Sequence, residues 1–292
     1  MNDNMVIIRP PSEASSFLLP VTTGCSNNTC TFCGTYSGIN FKIRRLEDIK
    51  QYIDAVAQNY GQGVRRVFLE NGDALIAPQQ TLTAVLEHLH KRFPHLGRIG
   101  TYASPKSALV KTIDELKELK KLGLKMAYLG VETGDEELLG KIRKRANYDQ
   151  IVEAGRKLKQ AEITTSVTVI LGLGGVEGSE KHAMNTGRIL SDIDPDFAGA
   201  LTLMLVPGTP LYKEWKEGQF SLISPFQALT ELKLIIQNSD FTNCFFTANH
   251  ASNYLPIKAR LPQQKEAIIK LIEDVLARKD MSRLRPEFIR AL

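Results

Sequence analysis

The chain has 292 residues, 43% of them hydrophobic and 24% charged, with a net charge of +5. That balance excludes a disordered polymer and allows a full core, in one α/β domain or in two. No apolar run reaches the roughly 18 residues of a bilayer-spanning helix, and Met1-Asn2-Asp3-Asn4 lacks the basic start of a secretion signal, so the expectation is a cytoplasmic protein with no membrane contact.

After a polar lead, Ser16 to Thr23 reads as a buried strand that delivers the chain into a cysteine-rich loop. A 3.6-residue period of Leu46, Ile49, Ile53 and Val56 predicts a helix from about Leu46 to Tyr60. The alternation then repeats: strand Arg66–Glu70, helix from Pro78 to about Arg92, strand Arg98–Ala103, helix from about Val110 to Leu122. Strand Met126–Val131 is followed by helices over about Asp135–Arg143 and Asp149–Ala161. Strand Ser166–Leu171, a helix from about Ser179 to Asp192 and strand Gly199–Leu205 complete the series. Strands alternating with helices argue for parallel βα units, whose ligands bind at the carboxyl ends of the strands in open sheets and barrels alike. Beyond Pro207 the repeat stops. Helices are expected over Thr209–Glu217, Pro225–Asn238 and Gln263–Arg278, with an irregular stretch from Asp240 to Pro256.

Cys25, Cys30 and Cys33 place three of the four cysteines in nine residues just past the first strand. In a reducing compartment such clustered thiols are metal ligands or redox groups rather than disulfides. A structural zinc site needs a fourth protein ligand, which would have to be Cys244 or a distant histidine, because none of His88, His90, His95, His182 or His250 has the usual near spacing. A [4Fe–4S] cluster on three thiolates instead leaves one iron open for a substrate or cofactor.

The Cys25-x4-Cys30-x2-Cys33 loop, with Phe32 before its last cysteine, resembles the cluster loop of the radical SAM superfamily, whose usual spacing is one residue shorter. Other segments in register are similar to that family. Asn71-Gly72-Asp73 stands where a Gly-Gly-Glu turn holds the methionyl amino group of S-adenosylmethionine. Gly130-Val131-Glu132-Thr133-Gly134 looks like the Gly-Val-Glu-Ser-Gly motif of the branch with methylthiotransferases, Elongator-type proteins and coproporphyrinogen dehydrogenases. The resemblance implies that Glu132 faces the cofactor, that one residue of the basic segment Lys141–Arg145, Lys144 first and Arg145 next, grips its carboxylate, and that Leu171 and Gly172 pack near adenine. Pro207-Gly208-Thr209-Pro210 matches a segment after the sixth strand, and Ser104 is a further cofactor candidate. Each also has a plainer reading: a helix cap for Asp73, an ion pair for Glu132, a solvated helix face for Lys144 and turn conformations for the glycines.

What the resemblance implies is an α/β fold, a (β/α)6 partial TIM barrel over residues 1–212 with a mainly helical C-terminal extension over 213–292 that covers the substrate side. The implied cofactors are a [4Fe–4S] cluster and S-adenosylmethionine. The implied reaction is hydrogen-atom abstraction by a 5′-deoxyadenosyl radical, fed by a low-potential donor such as flavodoxin or ferredoxin, in an anaerobic oxidoreductase or transferase. With Cys244 the one remaining cysteine, a second cluster for methylthiolation is disfavoured. The substrate is expected to be a small molecule or tetrapyrrole-like. His250 and Cys244, in the polar stretch Asn243–Tyr254, are the catalytic candidates; a loop that satisfies its own backbone and a buried thiol are the plain alternatives. The competing classes are a tRNA-modifying radical SAM enzyme, a zinc-binding protein that docks RNA through the basic residues Arg278, Lys279, Arg283, Arg285 and Arg290, and a haem- or iron-handling protein without radical chemistry. A solvated helix end is preferred for that basic cluster, so nucleic acid is the less favoured partner.

Overall fold

The computed structural model describes residues 8–291; Met1 to Asn4, read above for a secretion signal, lie outside that range. A short 3-10 turn leads into β1 (Phe17–Pro20), and β2 (Thr22–Thr23) pairs antiparallel with β3 (Lys42–Ile43) across the cysteine loop. Next come α1 (Leu46–Tyr60), β4 (Arg66–Glu70), α2 (Gln79–Arg92), β5 (Arg98–Ala103), α3 (Pro105–Leu109), α4 (Ile113–Lys121) and β6 (Leu124–Glu132). They are followed by α5 (Glu136–Lys141), α6 (Tyr148–Gln160), β7 (Thr164–Leu171), α7 (Gly175–Ile193) and β8 (Phe197–Thr202). The remainder is α8 (Pro210–Lys216), α9 (Pro225–Gln237), β9 (Cys244–Thr247), β10 (Lys258–Leu261) and α10 (Lys265–Arg278).

Eight strands form one sheet in the order β1-β4-β5-β6-β7-β8-β9-β10. The pairs β1/β4, β4/β5, β5/β6 and β7/β8 are parallel, as the alternation with helices requires. Several expectations need correction: the strand expected over Ser16–Thr23 is divided into β1 and β2, β8 runs from Phe197 to Thr202 rather than from Gly199 to Leu205, and α7 starts at Gly175 rather than near Ser179. The helix expected from Val110 to Leu122 is α4, which starts at Ile113 because Thr112 opens it with a capping box; the short α3 ahead of it, opened by a second capping box on Ser104, is not among the expected helices. The stretch expected to be irregular, Asp240 to Pro256, holds β9, parallel to β8; β10, antiparallel to β9, follows just beyond it. Their four-residue strands were too short and too mixed in polarity to show a period of two.

The described residues divide into two compact units: residues 8–28, 35–129 and 154–165 in one, residues 29–34, 130–153 and 166–291 in the other. The first has Phe68, Leu82, Leu86, Leu89, Phe93 and Ile99 in its core. It also buries Glu13 completely, which is tolerable because Arg98, Arg66, Ser16 and Tyr128 all reach its carboxylate. In the second, α7 lies so close to α9 that a Cβ on Gly187 would stand 2.8 Å from the Ile235 carbonyl oxygen. Ile189, Leu190, Ile235, Ile236 and Phe246 fill its core.

Candidate active site

In the first unit the chain leaves β1 and β2 through Gly24, whose left-handed φ of 74° suits glycine. Gly24 accepts the Gly72 amide at 3.1 Å, and Asn71, itself at φ 74°, donates its side-chain amide to the Thr22 carbonyl at 2.9 Å. Gly72 has to be glycine: a Cβ there would lie 2.5 Å from Cβ of Cys25. The turn after β4 is therefore seated on Cys25. Asp73 is fully buried, and its carboxylate accepts the Ser26 hydroxyl, the Ser104 amide at 3.1 Å and the Ser104 hydroxyl at 2.7 Å. Burial pushes this carboxyl up from its ordinary value, against the pull of the Ser107, Ser26 and Ser104 hydrogen bonds. The side chain expected to meet a cofactor amine thus braces the residue after Cys25.

In the second unit the rest of the loop is anchored through its backbone. Thr31 donates to the Ile142 carbonyl at 3.0 Å and accepts the Leu211 amide at 2.9 Å, while Phe32 packs against Ile142, Leu173, Leu203 and Leu211. Cys33 is exposed and its amide closes a turn on the Cys30 carbonyl at 3.2 Å. All four cysteines are thiols.

Glu132 and Lys144, two separate candidates in the sequence, are partners here. Lys144 Nζ lies 2.8 Å from Glu132 Oε1, with side-chain exposures of 9% and 13%. Glu132 takes a left-handed φ of 68°, and Arg143 and Arg145, at 56° and 57°, turn the backbone on either side of Lys144. The flanking glycines have separate reasons. A Cβ on Gly130 would stand 2.3 Å from Glu132 Oε1, so its absence makes room for the pair; on Gly134 it would meet the Asn185 carbonyl oxygen at 2.1 Å, so its absence lets α7 approach. Between them Thr133 bonds His182 Nδ1 at 2.8 Å.

Leu171 is buried at the end of β7, and Gly172 follows at φ 81° with its amide on Glu231. Pro207 is exposed in the turn that Thr209 caps. Cys244 is fully buried at the start of β9. His250 is half-buried, its Nδ1 2.9 Å from the Ser252 hydroxyl, and its value is lowered by burial and by Arg285. Arg285 donates to the carbonyls of His250, Ala251 and Asn253, and Arg290 stacks 4.1 Å from the Tyr254 ring centre. Those two basic residues hold this loop. Sequence reading missed Ser26, His182 and Glu231 as parts of the site. The last two do leave a trace, a polar residue on the apolar face of an amphipathic helix.

A family model described as "Radical SAM superfamily" matches residues 19–186. The chain is 24% identical over 199 residues to the uncharacterised protein YtqA of Bacillus subtilis (strain 168), covering 67% of this chain and 61% of that one. It is 26% identical over 184 residues to a tRNA-2-methylthio-N(6)-dimethylallyladenosine synthase of Clostridium botulinum, covering 60% of this chain and 39% of that one. Among solved structures, coproporphyrinogen III oxidase (HemN) from Escherichia coli superposes with a TM-score of 0.56 at 18% identity, covering 76% of this chain and 51% of that one. This chain thus spans less than two thirds of the length of each. The fold is an α/β partial TIM barrel with a mainly helical C-terminal extension.

Proposed function

The chain belongs to the radical SAM superfamily, whose cofactors are a [4Fe–4S] cluster and S-adenosylmethionine, and on that premise we propose that Cys25, Cys30 and Cys33 hold the cluster of a hydrogen-abstracting enzyme. When bound, these groups supply one-electron reductive cleavage of the sulfonium and, with it, removal of a hydrogen atom from a substrate carbon. The observation that carries the reading is the loop itself. Three soft donors lie past the first sheet strand, on a backbone held at Gly24 by the Gly72 amide and at Thr31 by Ile142 and Leu211. A donor set of three thiolates fits a cluster that keeps one iron open.

Around it each residue has a task. The Asn71–Gly72 backbone offers carbonyls to the methionyl amine, while Asp73 braces Ser26 and Ser104 rather than meeting the ligand itself. Lys144, fixed by Glu132, presents an ammonium to the methionyl carboxylate; Leu171 and Gly172 line the adenosyl side; Phe32 and Pro207 shape the apolar border. The extension over residues 213–292 covers the substrate side. There His250, kept neutral by its lowered value, exchanges a proton with substrate, and Cys244 serves the core. Electrons come from a low-potential donor such as flavodoxin or ferredoxin.

The substrate class we favour is a small or tetrapyrrole-like molecule. Modification of tRNA is the second reading, supported by the likeness to the tRNA-methylthio synthase. Against it, Arg285 and Arg290 of the basic C-terminal cluster are spent on carbonyls of the chain's own loop.

Anaerobic reconstitution with iron and sulfide, followed by reduction in the presence of S-adenosylmethionine, tests the proposal. The expected result is a brown protein that releases 5′-deoxyadenosine, lost when Cys25, Cys30 or Cys33 is replaced by Ala. A colourless protein that keeps zinc through the same treatment overturns it. His250→Ala should retain cofactor cleavage and lose substrate turnover; unchanged turnover removes the proton-transfer role.

A further inference from the structure

The turn after β7 is held from α9 by a carboxylate that no motif announces. Glu231 is fully buried; its Oε2 accepts the Gly172 amide at 2.6 Å and its Oε1 the Ser179 hydroxyl at 2.7 Å. The Gly172 backbone is constrained on its other side as well, since a Cβ there would meet Ile223 Cγ1 at 2.9 Å. Glu231 lies on the face of α9 that buries Ala228, Leu229, Leu232, Ile235 and Ile236. A leucine would complete that face, so a buried carboxylate is a choice with a cost.

The titratable group that faces it offers no charge in return. His182 Nε2 lies 3.0 Å from the Ile170 carbonyl and donates to it; burial keeps the ring neutral, so Nδ1 accepts from the Thr133 hydroxyl. Its Nε2 is 3.8 Å from Glu231 Oε2. From α10, Glu273 is engaged by Lys233 of α9, and Asp135 acts on His182.

We propose that Glu231 is a positioning residue: its carboxylate fixes the Gly172 peptide so that the turn after β7 presents its backbone to the adenosyl part of S-adenosylmethionine. The inference rests on the reading of that turn given under Proposed function. Burial pushes the Glu231 carboxyl up to about 7 and His182 down to about 4, so Glu231 changes charge near neutrality while its neighbour does not. Ionised, Glu231 gives Gly172 a charge-assisted acceptor; protonated, it gives a weaker one.

Two variants separate these states. Glu231→Gln keeps an oxygen for the Gly172 amide without charge, and Glu231→Leu removes it. The measurements are equilibrium binding of S-adenosylmethionine to the cluster-loaded chain from about pH 6 to about pH 8.5, and amide exchange across residues 170–176 in the cofactor-free chain. The Leu variant should bind about 10-fold more weakly and exchange the Gly172 amide about 10-fold faster, the equivalent of one lost buried hydrogen bond. The Gln variant should bind about 3-fold more weakly at the alkaline end and match the wild type at the acid end, where both are neutral. Unchanged affinity and exchange in the Leu variant overturn the inference. If that variant does not fold, a wild-type-to-Gln affinity ratio that is the same at every pH overturns it. Gly172→Ala distinguishes the underlying reading: weaker binding there beside a silent Glu231 defeats the inference alone, whereas unchanged binding defeats the assignment of the turn and the inference with it.

Discussion

At Gly130 and Gly134, four residues apart on one motif, the missing Cβ serves two ends, and substitution should tell them apart. At Gly134 the obstacle is the backbone oxygen of Asn185, which cannot swing aside, so Gly134→Ala should cost about 3 kcal/mol in urea unfolding, the upper end of overpacking effects. At Gly130 the obstacles are the far ends of Glu132 and Lys144, which can. Gly130→Ala should therefore cost about 1 kcal/mol yet weaken S-adenosylmethionine binding by spreading the pair; an unaffected dissociation constant would remove the pair from the cofactor site. Glu231 gives a second prediction, about pH. Its folded value, about 7, lies above the ordinary value of 4.5, so its contribution is fully present below about pH 4.5 and is lost as pH rises through about 7. A rise of that size is at most about 3 kcal/mol. Glu231→Gln should then gain stability relative to the wild type between about pH 5 and pH 8; parallel stability curves would contradict it. The sequence made Glu132 and Lys144 readable as candidates and offered an ion pair as the plain reading of Glu132, but it did not single out Lys144 as the partner, because their pairing depends on the left-handed backbone at Glu132, Arg143 and Arg145.

Helix and strand placement followed from periodicity for α1 and β5, whose ends match the expected ones, whereas α7 starts at Gly175, ahead of the expected Ser179. Periodicity missed α3, a five-residue helix opened by a capping box on Ser104, and β9 and β10, where four-residue strands carry too little pattern. The loop between β9 and β10 was readable as polar, but its restraint comes from far along the chain. Arg285 reaches three of its carbonyls at 2.7 to 2.9 Å, and Arg290 reaches Ser252 at 2.6 Å and Leu203 at 3.2 Å. Arg285→Met, which keeps the apolar stem and removes the donors, should cost about 2 kcal/mol in chemical unfolding. The same variant should raise the His250 value toward that of an ordinary histidine, since the Arg285 charge is one cause of its depression, after burial. A histidine NMR titration reads this directly, and an unmoved His250 resonance would show that the arginine acts on the carbonyls alone.

Across the whole chain, the four cysteines divide by environment, three in one loop and one in the core. Cys25, Cys30 and Cys33 sit at loop positions that are half-buried or exposed, where truncation leaves little cavity, whereas Cys244 is fully buried between strand neighbours. Their spacing was legible because a loop of nine residues keeps its ligands together whatever the fold does; the role of Cys244 was not, because burial depends on β9 pairing with β8 and β10, which no local pattern announced. Replacing all three loop cysteines by Ala should therefore abolish iron uptake on reconstitution and change the metal-free chain's unfolding free energy by less than about 1 kcal/mol. Cys244→Ser should do the reverse, retaining iron while losing about 1 to 3 kcal/mol, because a more strongly solvated hydroxyl replaces a fully buried thiol. Iron analysis alongside urea unfolding of both proteins checks the division. Loss of iron in Cys244→Ser with stability intact would move the fourth cysteine from the core to the cluster, and would also reopen a site closed by four protein ligands.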